Sequence, residues 1–317
     1  MLTTVNMEII TVLSKDNPKI AEFECNSLIC FDKYTITDNI IKGETSSTKK
    51  TWKRLAYTNY ILKPLYKETI TNFLEKISID IPKEFTVVMI KNKSDKRITS
   101  IDTKKRLSNL KGNTKKLTNY AVVVEEEHAI LCEVLWENPK DYLQRKPQMR
   151  PAFHPASIHP KLARASVNLT GIRSGTIYDP MCGVGGILIE SRLMGLKTIG
   201  SDIDKEMLNK SKINLKHYKA PAKLFKKDAL TTNITADAII TDLPYCKSTK
   251  KIDNLEQFYL DFLIHIKTLT KNAVIMFPDF VNVKKIVKKS GWKIKEEFTY
   301  YLHRSLSKKI LILNPTL

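Results

Sequence analysis

From Ser157 onward, short apolar runs alternate with helical segments, and four consecutive runs end in an acid. They are TIYDP at Asp179, KTIGSD at Asp202, KLFKKD at Asp228 and ADAIITD at Asp242. Strands that alternate with helices bury both of their faces only as a parallel sheet with helices on each side. Ligands of such sheets bind beyond the carboxyl ends of the strands, so a row of acids there marks where a site can be built. The pattern predicts a helix over 160–170, strand TIYDP, a helix over 185–195, strand KTIGSD, a helix over 204–218 and strands KLFKKD and ADAIITD. A helix over 254–269, strand NAVIMF, a helix over 281–289 and strands GWKIKEEFTYYL and KKILILN complete it. With no helix between them, the last two strands are expected to pair antiparallel.

The N-terminal half is organised differently. Residues 1–50 read as an α/β leader that ends in the polar stretch KGETSSTKK. Residues 51–138 form a basic α/β module: a helical pattern over YTNYILKPLYKETITNFLEKI, the strand FTVVMIKN, and the hairpin NYAVVVEEE and HAILCEVLW. Residues 139–157 are an expected linker, in a region with five prolines up to Pro160. It is expected to be ordered because it also carries Tyr142, Phe153 and His154. Residues 158–317 are the second domain. A 42% apolar and 27% charged composition over 317 residues suits two globular domains. No run of 18 apolar residues occurs, and MLTTVNMEII lacks a secretory pattern, so a cytoplasmic protein is expected, with no membrane contact. Cys25, Cys30, Cys132, Cys182 and Cys246 form no CxxC pair, which argues against a disulfide framework and against a bound metal.

Lys and Arg number 53 against 33 acids, a net charge of +20 spread over both halves. A field of that sign attracts polyanions and makes nucleic acid the default partner. The plainer reading is a lysine bias shared by a whole proteome.

The loop DPMCGVGG after the first strand of the series places Gly183, Gly185 and Gly186 where a backbone can turn tightly and a ligand can approach closely. Leu188 stands where a dinucleotide fingerprint needs its third glycine, which disfavours NAD and FAD, and no GKS or GKT is present for phosphates. Asp202 can accept both hydroxyls of a ribose, Ile203 can pack on an adenine, and Asp228 can accept its amino group. Singly, each aspartate could be a turn or cap residue, as Asp204 is expected to be for the helix behind it. Together with the glycine loop they describe an adenosine pocket.

TDLPY, Thr241 to Tyr245, then raises its own chemistry. The exocyclic amine of a nucleobase is a poor nucleophile because its lone pair is delocalised into the ring. A catalyst must accept hydrogen bonds from that amine and hold the base flat. The Asp242 carboxylate and the carbonyl of Leu243 can receive the two N–H groups. Pro244 stiffens the turn, and Tyr245 offers a face for stacking. The alternative is a mere strand-to-loop exit.

In this order and spacing, DPMCGVGG, GSDID, Asp228 and TDLPY resemble a class I methyltransferase that uses S-adenosylmethionine and carries a (D/N)PPY amino-methylation motif. RPAFHPASIHPKLAR and YYLHRSLSKKILIL are similar to segments of the archaeal-type tRNA guanine-10 N2-methyltransferases, a likeness that covers about 150–313. Length, basic charge and the opening LSKDNPKIAEFEC extend it to the N-terminal half. The resemblance implies an α/β fold: a Rossmann-like methyltransferase domain, mostly parallel with an antiparallel last strand, preceded by a smaller RNA-binding, THUMP-like region. It implies S-adenosylmethionine held by Asp179, Met181, Gly183, Gly185, Asp202, Ile203, Asp228 and Ala229. It also implies catalysis by Asp242, Leu243, Pro244 and Tyr245, and tRNA met by His154, Lys247, Lys250 and Arg304. The family motif has proline at 243. Leucine keeps the acceptor carbonyl and loses only the fixed φ. A monomer is expected.

Two other readings use the same residues. DNA adenine N6-methylation needs the same amine chemistry, although Asp at 242 and the basic N-terminal module favour RNA. A noncatalytic RNA-binding protein would keep the pocket as a relic.

Overall fold

The computed structural model describes residues 6–77, 79, 85–91, 97–108, 118–245, 254–303 and 306–315. Among these, the strands make two seven-stranded sheets. The first is built from β1 (Met7–Leu13), β2 (Tyr34–Thr37), β3 (Ile40–Thr45), β4 (Thr58–Thr69), β5 (Phe85–Ile90), β6 (Thr118–Glu125) and β7 (His128–Glu137). Its order is β2-β3-β1-β4-β7-β6-β5, so one sheet spans what the sequence divides at residue 50. Helices α1 (Pro18–Ile29), α2 (Lys49–Trp52), α3 (Ile70–Lys76) and α4 (Ser100–Ser108) lie between its strands in the chain. The expected hairpin is present: β6 and β7 pair antiparallel from Tyr120↔Glu133 to Glu125↔His128.

The helix expected over residues 57–77 is not formed as such. Thr58–Thr69 is strand β4, and only Ile70–Lys76 is helical. β4 pairs with β1 on one side and β7 on the other, and this double pairing overrides a helical periodicity. Pro64 has no amide to donate. It lies beyond Leu62, where the β1 pairing ends, at a register shift against β7.

By its contacts the chain divides into two compact units. One holds Met1–Asp16, Ile29–Trp52 and Thr58–Asn138; the other holds Asn17–Leu28, Lys53–Tyr57 and Pro139–Leu317. The second unit contains α5 (Pro160–Leu169), β8 (Thr176–Asp179), α6 (Gly186–Leu193), β9 (Lys197–Asp202), α7 (Lys205–His217), β10 (Lys223–Lys226) and β11 (Ala238–Asp242). It continues with α8 (Leu255–Ile266), β12 (Ala273–Pro278), α9 (Val283–Ser290), β13 (Trp292–His303) and β14 (Leu306–Pro315). The order is β10-β9-β8-β11-β12-β14-β13, parallel as far as β12, with β14 antiparallel to both of its neighbours. The final antiparallel pair is as expected. Strand β10 stops at Lys226, so Asp228 lies in the following loop rather than at a strand end. There its carboxylate accepts the Leu230 amide at 2.9 Å and caps the turn.

Residues 139–157 are packed into this unit rather than strung out. Arg145 donates to both carboxylate oxygens of Glu190 on α6, at 2.6 and 3.0 Å, and Arg164 of α5 joins them at 3.1 Å. Burial alone would lower the Arg145 guanidinium, but its bonds to Glu190 outweigh that and hold it above its ordinary value. Helix α1 is stitched to the same unit by Glu24, which accepts the Ala56 and Tyr57 amides and the Asn168 side chain.

One core of the unit lies between the sheet and helices α8 and α9. Ile239, Ile275, Phe277 and Leu311 of the sheet meet Tyr259, Phe262, Leu263 and Ile266 of α8. Each such side chain contributes about 1.5–3 kcal/mol by burial. Tyr178 of β8 and Ile239 and Leu243 at β11 belong to that core, which backs the carboxyl ends of both strands.

Candidate active site

Between β8 and β11 the strand order reverses, because β9 and β10 continue on one side and β12 on the other. The crevice at such a reversal is where open α/β sheets bind ligands. The turn after β8 is held by the backbone. Gly183 adopts φ +50° and Gly185 φ +85°, the latter as N-cap of α6. The Gly183 amide donates to Asp202 Oδ2 at 2.9 Å, and the Asp204 amide to Oδ1 at 2.9 Å, which ties the turn to the end of β9. Burial raises the Asp202 carboxyl, against the pull of these amides. Asp204 caps α7 as expected, accepting the Glu206 amide at 2.7 Å.

Asp179 is buried, and its Oδ1 accepts both the Thr241 hydroxyl at 2.8 Å and the Met181 amide at 3.2 Å. Burial pushes its carboxyl up to about 8, against those two hydrogen bonds. Through Asp179, the Thr241 and Met181 bonds link the strand that carries TDLPY to the start of the glycine turn.

At the end of β11, Asp242 Oδ1 accepts the Tyr245 hydroxyl at 2.9 Å. Its Oδ2 forms an ion pair with Lys308 of β14, which is 4% exposed. The Lys308 ammonium also lies 5.4 Å from the centre of the Tyr245 ring, within cation–π range. Burial first, and the Asp242 charge second, raise the Tyr245 phenol, so it remains a donor. Leu243 points its side chain into the core and is 2% exposed, while its amide donates to Met276 O at 3.0 Å. The Tyr259 hydroxyl of α8 donates to Pro244 O at 2.6 Å. Core packing at Leu243 and the Tyr259 bond thus hold a turn that a second proline would otherwise stiffen.

The other expected site residues are placed as follows. Ile203 exposes 66% of its surface beside Asp202, Met181 is half-buried against the core under α8, and Ala229 is buried. His154 Nδ1 accepts the Ala156 amide of its own turn, so its ring shapes that turn. Lys247, Lys250 and Arg304 lie outside the described residues. Three contacts around the motif went unread in the sequence: Thr241 to Asp179, Tyr259 to Pro244, and Lys308 to Asp242. For Lys308 a signal was present, since it continues the face of Ile310 and Ile312, where a strand would carry an apolar residue.

Comparison with known proteins finds methyltransferases. A family model described as an RMKL-like methyltransferase domain matches residues 147–308, and a DNA methylase model matches 6–213, ending before Asp242. A tRNA (guanine(10)-N2)-dimethyltransferase of Methanothermobacter thermautotrophicus is 28% identical, covering 97% of this chain and 99% of its own length. One of Methanocaldococcus jannaschii is 32% identical over 77% of this chain and 74% of its own. The crystal structure of TrmN from Thermus thermophilus superposes with a TM-score of 0.57 at 14% identity, covering 98% of this chain and all of that one, a likeness of fold. With TDLPY and the glycine turn joined at the sheet's reversal, a methyltransferase family model over half of its length and relatives of this kind, the chain belongs to the tRNA (guanine(10)-N2)-dimethyltransferase family of methyltransferases.

Proposed function

We propose that the protein transfers methyl from S-adenosylmethionine to the exocyclic N2 of guanosine 10 in tRNA, giving N2-methyl- and then N2,N2-dimethylguanosine. The observation that carries this reading is the Asp242 carboxylate at the reversal of the sheet, coupled through Thr241 and Asp179 to the glycine turn. The residues present fit the donor. A side chain at Gly183 would meet nothing within 4 Å, which leaves room against the turn. Ile203 offers an exposed apolar face, and a carboxylate such as Asp202 has about four acceptor sites, more than its backbone amide donors fill. Asp202 would hold the ribose hydroxyls, Ile203 and Ala229 the adenine, Asp228 its amino group, and the Met181–Gly185 turn, braced by Asp179, the amino-acid end. When bound, S-adenosylmethionine supplies an electrophilic methyl group on a sulfonium.

The chain's own residues would supply the rest. Asp242 Oδ1 accepts one N–H of the guanine amine, the carbonyl of Leu243 accepts the other, and both draw electron density toward the nitrogen's free face. Oδ1 is then the first acceptor that the departing proton meets. Pro244, held by Tyr259, keeps the two oxygens in a fixed relation. Tyr245 stacks on the base, an interaction of about 1–3 kcal/mol. Lys247 and Lys250 would meet the phosphates beside the base, and His154 and Arg304 would contribute to the rim that binds it. The basic N-terminal unit serves as a THUMP-like RNA-binding module, and the enzyme works as a single chain.

The test is reaction of the full chain with unmodified tRNA transcript, followed by mass spectrometry of the nucleosides. N2-methylguanosine from the wild type and its loss with Asp242→Ala support the reading. N6-methyladenosine in a DNA substrate would favour the DNA reading instead. Absence of S-adenosylmethionine binding by calorimetry would favour the noncatalytic one.

A further inference from the structure

A lysine buried to 4% exposure is unusual, and this one is directed at the candidate catalytic group. Lys308 sits on β14 opposite Pro278 of β12 and Tyr300 of β13. Its ammonium reaches past β12 to Asp242 on β11, the next strand but one, and on the way lies against the Tyr245 ring. The neighbouring Ser307 is itself anchored, because its amide donates to Asp279 Oδ2 at 3.1 Å and its carbonyl accepts the Asp279 amide at 3.1 Å. The start of β14 is therefore fixed to the end of β12, and the lysine is aimed by two strands.

The two oxygens of Asp242 are thus held by donors of different kinds. Oδ1 carries a neutral hydroxyl on a side chain in the loop after β11. Oδ2 carries a buried ammonium, whose departure would leave a charge unpaired in the interior. Only the first donor is readily exchanged. We propose that Lys308 is the positioning residue of the methylation motif: it clamps Asp242 through Oδ2 so that Oδ1 faces the substrate amine. The Tyr245 hydroxyl keeps that place until the amine displaces it and frees the ring to stack. The inference rests on the reading of Asp242 as the amine acceptor given above.

Removing the clamp frees the carboxylate to rotate about its χ2 bond, while the surfaces that bind donor and RNA stay as they are. For Lys308→Met the expected result is a fall in kcat on the order of 10- to 100-fold. KM for tRNA and the affinity for S-adenosylhomocysteine by calorimetry should stay within about twofold, a split that a general loss of structure does not produce. Lys308→Arg, which keeps charge and reach, should recover most of the rate. Should the Met variant fail to fold, Lys308→Gln is measured in its place, with a kcat loss of roughly tenfold expected.

A readout independent of turnover is the unfolding midpoint. Lys308→Met and Asp242→Asn should each lower it, and the double variant should recover part of the loss, because the pair is then removed whole. Unchanged kcat in the Met or Gln variant, or strictly additive midpoints, would overturn the Lys308 assignment alone. A wild-type chain that transfers no methyl to tRNA would overturn both this assignment and the function on which it rests.

Discussion

At the scale of the residue, Asp179 shows how one buried group couples stability to acidity. Its carboxyl titrates near 8 in the folded chain, against an ordinary 3.8. The folded state therefore holds a proton that the unfolded chain gives up first. That contribution to stability is full below about pH 4 and is lost as pH rises to about 8. Asp179→Asn keeps an oxygen for Thr241 and Met181 and has no proton to lose. The variant is expected to abolish this share of the decline, so that its stability changes less than the wild type's between pH 4 and 8. Denaturant melts of the ligand-free protein across that range check it; parallel curves for the two proteins would refute it. Leu243 teaches a complementary lesson. Its side chain belongs to the core and its carbonyl is the proposed acceptor, so a substitution that looks like a motif defect is also a packing decision.

At the scale of the element, α6 lies close on β9 beside the glycine turn. A Cβ on Gly200 would stand 2.4 Å from Leu188 Cδ1 and 3.1 Å from Cys182 Sγ. Gly200→Ala is therefore expected to push strand and helix apart at a cost of about 1–3 kcal/mol. It should also weaken S-adenosylhomocysteine binding, because the displaced residues flank Gly183 and Asp202. A lowered unfolding midpoint together with a weaker calorimetric affinity is the expected pair of results. An unchanged midpoint would show that Leu188 simply changes rotamer. Leu188 thus closes the helix–strand contact from the helix side, at the position where a dinucleotide fold would place a glycine.

At the scale of the whole molecule, the net charge of +20 has a measurable consequence. If the excess neutralises RNA phosphates, the logarithm of the affinity for tRNA falls linearly with the logarithm of salt concentration, by about 0.7–0.9 for each phosphate contacted. A slope of several units in a fluorescence titration is expected; a slope near zero would leave the lysines as a solvated surface. Among the described residues, no helix is long and apolar enough to cross a membrane.

The alternation of strand and helix after Ser157, the antiparallel last pair, the glycine turn and the TDLPY motif were all legible in the amino-acid order, because each depends on periodicity or on residues adjacent in the chain. The identity of β4 was not, since pairing with β1 and β7 overrode its local helical pattern. Nor were the bonds from Thr241 to Asp179, from Tyr259 to Pro244 and from Lys308 to Asp242. These join residues between 15 and 66 positions apart. Contacts of that kind arise only once strands lie side by side in the sheet and α8 packs on it, so tertiary structure alone decided which groups surround the carboxylate.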